Sequence, residues 1–474
     1  MKFSEVRVRF APSPSGLLHI GSARIALINY LFAKNKKGKM ILRIEDTDIL
    51  RSTKEHSEKM LETLSWLGIS WDEGPYYQSH RMPFYLSLRD KLIKENQAYR
   101  CFCQQEQLQY KREQMIQKGA DIIYDGTCRK LSNKEIQQNL EQGKPYIIRL
   151  KVKDTAYAFL DMIKGNVHFN GPTIGDFVLF RSDGSPTYQF AVVADDAEME
   201  ISHVIRGEDH LPNTPKQIAL YHALGFPVPF FAHVPLILGS DKTKLSKRHG
   251  ETSIEEFREK GICAKAILSY LYHIGYSIKT ENALISKEEM IDNFNVALIA
   301  KSSSVFDYSK LKWFNSQWIK NMETKQLMTI LEPLLNSLPL DNSLVERIIT
   351  LSKHQAGDLN EFRVILKPFI CYELNEDIPS RYETLFNPLL IKAIKLFFHK
   401  VFQMEHWDKE EMETIFSEML IDEKIKKKDL IQLIRYAVTG KWISPPLFET
   451  MDIIGRNELN RRYTIFMRKY HEKK

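Results

Sequence analysis

The sequence predicts an α/β protein: a parallel-sheet domain, interrupted by an α+β insertion and followed by an all-α C-terminal region. Three observations carry this. Strand and helix periods alternate over residues 1–95. A cysteine- and glutamine-rich segment, 96–185, interrupts that alternation before strand character returns over 186–250. Beyond 320, apolar residues recur at helical spacing, as in Leu327, Ile330, Leu331 and Leu334, then Leu344, Ile348 and Leu351.

The first element is a strand. Val6, Val8 and Phe10 alternate with Arg7 and Arg9, the period of a strand with one buried face. Two prolines, two glycines and three serines follow before Arg24, so the chain turns sharply. Ile25, Ile28, Leu31 and Phe32 then recur at helical spacing. This strand–loop–helix places His19 beside the first N–H groups of a helix, where partial positive charge suits a phosphate. The loop is neither Gly-x-x-x-x-Gly-Lys-Ser/Thr nor Gly-x-Gly-x-x-Gly, and a lone His-x-Gly is by itself an ordinary connection with a structural histidine.

A second strand, Lys39–Ile44, ends in Glu45-Asp46-Thr47-Asp48. In open parallel sheets ligands sit beyond the carboxyl ends of strands. Both Arg9–His19 and Glu45–Asp48 fall at such ends, and Glu45 is expected to face a site there. The same acidic run would also serve as a helix N-cap. Within 96–185, the stretch 104–144 reads as helical, and Cys101-Phe-Cys103 and Cys128 stand out. Thr187–Ala194 reads as a buried strand, as do His203–Arg206 and Leu236–Leu238. Lys244, Lys247 and Arg248, just after the last of these, suggest a cationic lid rather than a plain turn. Residues 251–320 read as helical.

Composition is that of a soluble globular protein: 474 residues, 43% hydrophobic and 27% charged, enough for two to four domains. No run of about 18 apolar residues suggests a membrane span. No N-terminal signal is read, because Phe3-Ser-Glu-Val-Arg7 enters a strand directly. Five cysteines are an odd number for a disulfide framework and fit a reducing cytoplasm. The net charge of +7 is compatible with a polyanionic partner without demanding one. No internal repeat appears.

Arg9-Phe-Ala-Pro-Ser-Pro-Ser-Gly with His19-Ile-Gly-Ser22 resembles the "HIGH" signature of class I aminoacyl-tRNA synthetases, in its glutamyl version. Lys244-Leu-Ser-Lys-Arg248 resembles the partner "KMSKS" signature. Arg43–Asp48, Trp71–Tyr77, Asp183–Tyr188 and His203–His210 are similar to further blocks of bacterial-type glutamyl-tRNA synthetases, in the same order. The resemblance is dense over residues 1–320 and thinner beyond.

The resemblance implies a Rossmann-type catalytic domain in two halves (1–95 and 186–250), an inserted acceptor-end-binding domain (96–185), a stem-contact domain (251–320) and an all-helical anticodon-binding region (321–474). It implies a cytoplasmic, monomeric ligase that activates L-glutamate with ATP, Mg²⁺ accompanying the ATP, and transfers it to tRNA(Glu). His19, Ser22, Lys244, Ser246 and Lys247 would be the catalytic set, with Ser22 in place of the signature's last histidine. Pro12, His19, Gly21, Asp209, Lys244, Lys247 and Arg248 would hold ATP. Arg9 and Arg206 would take the γ-carboxylate, as bidentate guanidinium groups suit a carboxylate. Glu45 would receive the α-ammonium, with Ala11, Ser13 and Tyr188 completing the pocket. Members with zinc in the insertion carry a histidine two residues past the third cysteine. Here that position is Lys130, and no histidine occurs between His80 and His168. With Tyr124 as the one polar candidate for a fourth ligand, zinc is not favoured and free thiols are expected. Other readings are a ligase that charges tRNA(Gln), a truncated relative acting on a tRNA base, and a non-catalytic tRNA-binding paralogue. Intact His19, Lys244, Ser246 and Lys247 argue against the last.

Overall fold

The computed structural model describes residues 3–47, 53–119, 123–153, 157–169, 174–277, 283–336, 341–374, 378–422 and 425–472. Asp48, in the predicted acidic run, and the side chain of Lys247 lie outside what is described. The chain forms two compact units, Met1–Arg258 with Ile267–Tyr308, and Glu259–Ala266 with Ser309–Lys474.

In the first unit, β1 (Arg7–Phe10), β2 (Lys39–Ile44) and β3 (Glu73–Tyr77) form a parallel sheet in that order. Phe10 pairs with Leu42 and Ile44 with Tyr77, so the ends of β1 and β2 lie side by side. β1 is not the one-faced strand its alternation predicts: Arg9 is as buried as Val8 and Phe10. A parallel sheet is covered on both faces, and a buried arginine is tolerated there when it is paired. The loop after β1 runs into the helix Ile20–Asn35.

Next come β4 (Ala98–Cys101), β5 (Ile147–Leu150), the hairpin β6 (Tyr157–Asp161) and β7 (Gly165–Phe169), and β8 (Val178–Phe180). β4, β5 and β8 make a small antiparallel sheet. The helices Gln105–Gln117 and Asn133–Glu141, both within the stretch read as helical, lie between its first two strands in the chain. β6 instead joins a second sheet, ordered β7-β6-β10-β9, with β9 at His203–Gly207 and β10 at Phe230–Val234. Thus part of segment 96–185 builds the same layer as β9. Ser202 N donates to Arg7 O at 2.9 Å, which sets β9 beside β1.

Thr187–Ala194 is not a strand. The helix Tyr188–Glu198 occupies it, with Phe190 to Ala194 buried on every side among Tyr85, Phe180, Leu220 and Tyr221. A short apolar run has no exposed face to reveal its period, so strand and buried helix read alike. Leu236–Leu238 shrinks to β11 (Ile237–Leu238), which pairs with β12 (Ser304–Val305) rather than with either large sheet.

In the second unit every described element is helical. One core gathers Ile319, Leu327, Leu331, Ile348 and Phe362, another Leu390, Phe397, Phe416, Leu433 and Phe466. Of the predicted stripe, Leu327, Leu331 and Ile348 are buried, while Ile330 is exposed.

A candidate active site at the strand ends

A cavity of about 750 Å³ opens beyond the carboxyl ends of β1, β2 and β9, where an open α/β sheet binds ligands. Of the predicted residues, Arg9, Ala11, Pro12, Ser13, His19, Gly21, Ser22, Glu45, Tyr188, Arg206, Asp209 and Lys244 line it. Ser246 and Arg248 do not.

One side is built by the start of helix Ile20–Asn35. His19 is its N-cap, in extended backbone geometry, and its Nδ1 accepts from Gly21 N at 3.1 Å. The cap satisfies one of the helix's otherwise unpaired N–H groups. It also sets the tautomer: with Nδ1 accepting, the neutral ring carries its proton on Nε2, which is buried without a partner. Burial, then Lys244, lowers the ring's pKa, so it is a neutral donor. The chain after the lysine-rich loop docks on this corner, Ile20 N donating to Thr252 O at 2.8 Å and Ile254 N to Leu18 O at 2.9 Å.

Lys244 reaches in from that loop, with Nζ 2.8 Å from Asp209 Oδ2. The rest of the loop folds on itself. Ser246 N donates to His249 Nδ1 at 3.1 Å, and His249 Nε2 lies 3.1 Å from Asp241 Oδ1. Arg248 is exposed and bonded to Thr243 Oγ1 at 2.6 Å, which keeps it off the cavity wall. Gly239 lets His249 pack: a Cβ there would fall 2.6 Å from His249 Cδ2.

The other side is charged and buried. Arg9 Nε contacts both oxygens of Asp196 at 3.2 and 3.3 Å. Arg43 Nη1 reaches Asp196 Oδ1 at 2.7 Å, and its Nη2 reaches Glu45 Oε1 at 3.2 Å. Asp195 accepts from Arg81 Nε at 2.7 Å, and from Gln78 Nε2 and Tyr85 Oη at 2.8 Å each. Asp196 is buried, which opposes ionisation, yet Arg9 and Arg43 hold its carboxyl below the usual range. Glu45 goes the other way: burial pushes its carboxyl up against the pull of Arg43 and Arg9, so an arriving cation would be welcome. Tyr188 Oη lies 3.1 Å from His210 Nδ1. Arg206 is buried, and its Nη1 has no hydrogen-bond partner.

Sequence reasoning assigned no role to Arg43, Asp195, Asp196 or His210. Arg43 and His210 lie in the segments Arg43–Asp48 and His203–His210, and two aspartates directly after an apolar run are a signal of a buried charge site. Reading that run as a strand hid it, because only a helix brings both carboxylates under β1 and β2.

Away from the cavity, Cys101, Cys103 and Cys128 place their sulfurs within 4.8 Å of one another. Tyr124 Oη lies 3.4 Å from Cys101 Sγ and 3.3 Å from Cys103 Sγ. The Arg149 guanidinium sits 4.0 Å over the Tyr124 ring. Three soft donors and one oxygen converge in a space that matches a tetrahedral zinc with bonds of about 2.0–2.3 Å. Lys130 plays no part in this convergence.

The fold is that of a class I tRNA synthetase. Residues 5–313 match the family described as "tRNA synthetases class I (E and Q), catalytic domain", and residues 323–466 match an "Anticodon binding domain". The chain belongs to this family, and its full-length relatives are glutamate–tRNA ligases. It is 41% identical over 471 residues to the glutamate–tRNA ligase of Geotalea uraniireducens, covering 97% of each chain, and 40% identical to that of Thermodesulfovibrio yellowstonii, covering 96% of this chain and 98% of the relative. The crystal structure of a glutamate tRNA ligase from Elizabethkingia meningosepticum, in complex with its amino acid, superposes with a TM-score of 0.89 at 30% identity, covering 98% of this chain and all of that one.

Proposed function

We propose that the chain is a glutamate–tRNA ligase that forms glutamyl-adenylate from L-glutamate and ATP and passes the glutamyl group to the 3′ end of tRNA(Glu). The observation that carries the site assignment is one cavity holding two buried guanidinium groups, Arg9 and Arg206, and one partly buried carboxyl group, Glu45. That charge pattern complements an amino acid with an anionic side chain. Arg9 and Arg206 take the γ-carboxylate and Glu45 the α-ammonium, while Tyr188, Ser13 and Ala11 wall the pocket. Leaving a buried guanidinium unpaired disfavours glutamine.

The ATP lies between His19, Gly21 and Pro12 on one side and Lys244 and Asp209 on the other. Phosphoryl transfer asks mainly for positioning and charge stabilisation. Neutral His19 Nε2–H and the N-terminus of its helix supply donors, Ser22 a hydroxyl and Lys244 a cation. Lys247 and Arg248, with Ser246 shaping the loop, add charge when the loop closes over the triphosphate. In closing, Lys244 exchanges Asp209 for phosphate. Mg²⁺ would be held by the triphosphate with few protein ligands. Segment 96–185 holds the acceptor end, 251–320 the stem and 321–474 the anticodon. The enzyme works as a cytoplasmic monomer.

The thiol cluster fits zinc better than free thiols: Cys101, Cys103, Cys128 and Tyr124 would hold it, and its chemistry would be structural, pinning β4 to the turn at Cys128.

Charging of purified tRNA(Glu) and tRNA(Gln) with labelled glutamate tests the reading. Charging of tRNA(Glu) alone is expected. Charging of tRNA(Gln) as well would move the specificity, and charging of neither by folded protein would overturn the proposal.

A further inference from the structure

The two arginines of the cavity are held in opposite ways. Arg9 is anchored by a carboxylate, Asp196. Arg206 is anchored by neutral groups only: Nε lies 3.1 Å from His233 Nε2 and Nη2 lies 2.8 Å from Thr214 Oγ1, with His210 O at 3.4 Å. Among the described residues no carboxylate pairs with it, and its Nη1 is buried without a partner. A guanidinium only donates, so His233 Nε2 must accept and the ring's proton must sit on Nδ1. That proton meets Asp161 Oδ2 at 2.6 Å. Asp161 is otherwise occupied by the N–H groups of Ile163 at 3.0 Å, Lys164 at 2.8 Å and His233 itself. The side chains of Arg206, His233 and Asp161 are all buried.

We infer that His233 is a specificity-determining positioning residue: a neutral spacer that orients Arg206 through Nε while keeping the Asp161 carboxylate off it, so that Arg206 stays a fixed cation paired with no carboxylate, whose free Nη1 demands an anion from the substrate. Asp161, on β6, locks the spacer's tautomer. This rests on the reading of the cavity as a glutamate site. The physical basis is that a buried charge without a counterion is costly and is relieved by whichever ligand supplies one. A glutamate γ-carboxylate does so, and a glutamine amide does not. Replacing the spacer by a carboxylate would supply the counterion from within and remove the demand.

The test is steady-state charging of tRNA(Glu) by the full chain, with glutamate and ATP varied separately. His233→Gln, which keeps a neutral acceptor, should leave KM for glutamate within about twofold of the parent. His233→Glu should raise it at least thirtyfold, with KM for ATP within twofold in both, and should narrow the preference for glutamate over glutamine. Thr214→Val is nearly isosteric and takes the acceptor from Nη2. It should raise KM for glutamate about fivefold with KM for ATP unchanged, and it decides the matter where His233→Glu does not fold by circular dichroism. Equal KM for glutamate in the Gln and Glu variants, parent-like KM in Thr214→Val, or matching shifts for ATP would overturn the spacer. Failure of the parent protein to charge glutamate would strike the underlying site reading as well.

Discussion

Single residues in this protein act through what their neighbours leave unpaired. Arg9 gives Nε to Asp196, and His19 gives Nδ1 to its own helix. What remains of each faces the cavity. Arg9→Ala should therefore abolish glutamate-dependent charging, with kcat/KM for glutamate down at least about a thousandfold, because Asp196 loses a partner and the substrate its counterion. Lys247→Ala should instead lower kcat about a hundredfold and change KM for glutamate little, the signature of a group acting on charge in the transition state. Near-normal turnover in both would break the assignment. Two histidines also predict a pH response. Burial lowers His203 to about 4, and burial with Arg206 lowers His210 to about 4. The unfolded chain, with histidine near 6.5, binds these protons more readily than the native one. The stability they contribute is thus full above about pH 6.5 and is lost as pH falls toward 4. A melting temperature that falls through that window is expected, and His203→Asn should flatten part of the slope.

At the scale of elements, the site is made where ends meet. β1, β2 and β9 bring Arg9, Glu45 and Arg206 together, and a buried helix brings Asp195 and Asp196 beneath them. The small sheet of β4, β5 and β8 has its own fastening in the thiol cluster. Protein purified without chelator should carry about one zinc per chain by elemental analysis. Cys103→Ser should lower that content and loosen the sheet, read as faster proteolysis between residues 96 and 185. Metal-free protein with the same protease pattern would return the cluster to plain thiols. Element identity was readable where one face is wet, as in the helix Asn342–Ser352, which buries Val345, Ile348 and Ile349 and exposes Arg347 and Thr350. It was misread at Tyr188–Glu198, where burial on all sides erases the period.

For the whole molecule, the two units carry separate cores, mixed in the first unit and helical in both clusters of the second. The net charge of +7 is modest, but a tRNA partner makes binding salt-dependent through counterion release. KM for tRNA should rise at least about tenfold between 50 and 200 mM salt, while KM for glutamate, held by the buried Arg9 and Arg206, should move far less. Equal sensitivity of the two would argue against an extended phosphate-contacting surface.

The sequence by itself determined the α/β and all-α halves, the loop from Arg9 to His19, the acidic end of β2 and the lysine-rich loop. Each is local, set by turn residues, by period and by charge at a strand end. Only the tertiary structure decided which charges meet. Arg9 with Asp196 is separated by 187 positions, His233 with Asp161 by 72, and Tyr124 with Cys101 by 23. No spacing rule predicts such pairs. They exist because an ion taken out of water must find its partner wherever the packed elements bring one.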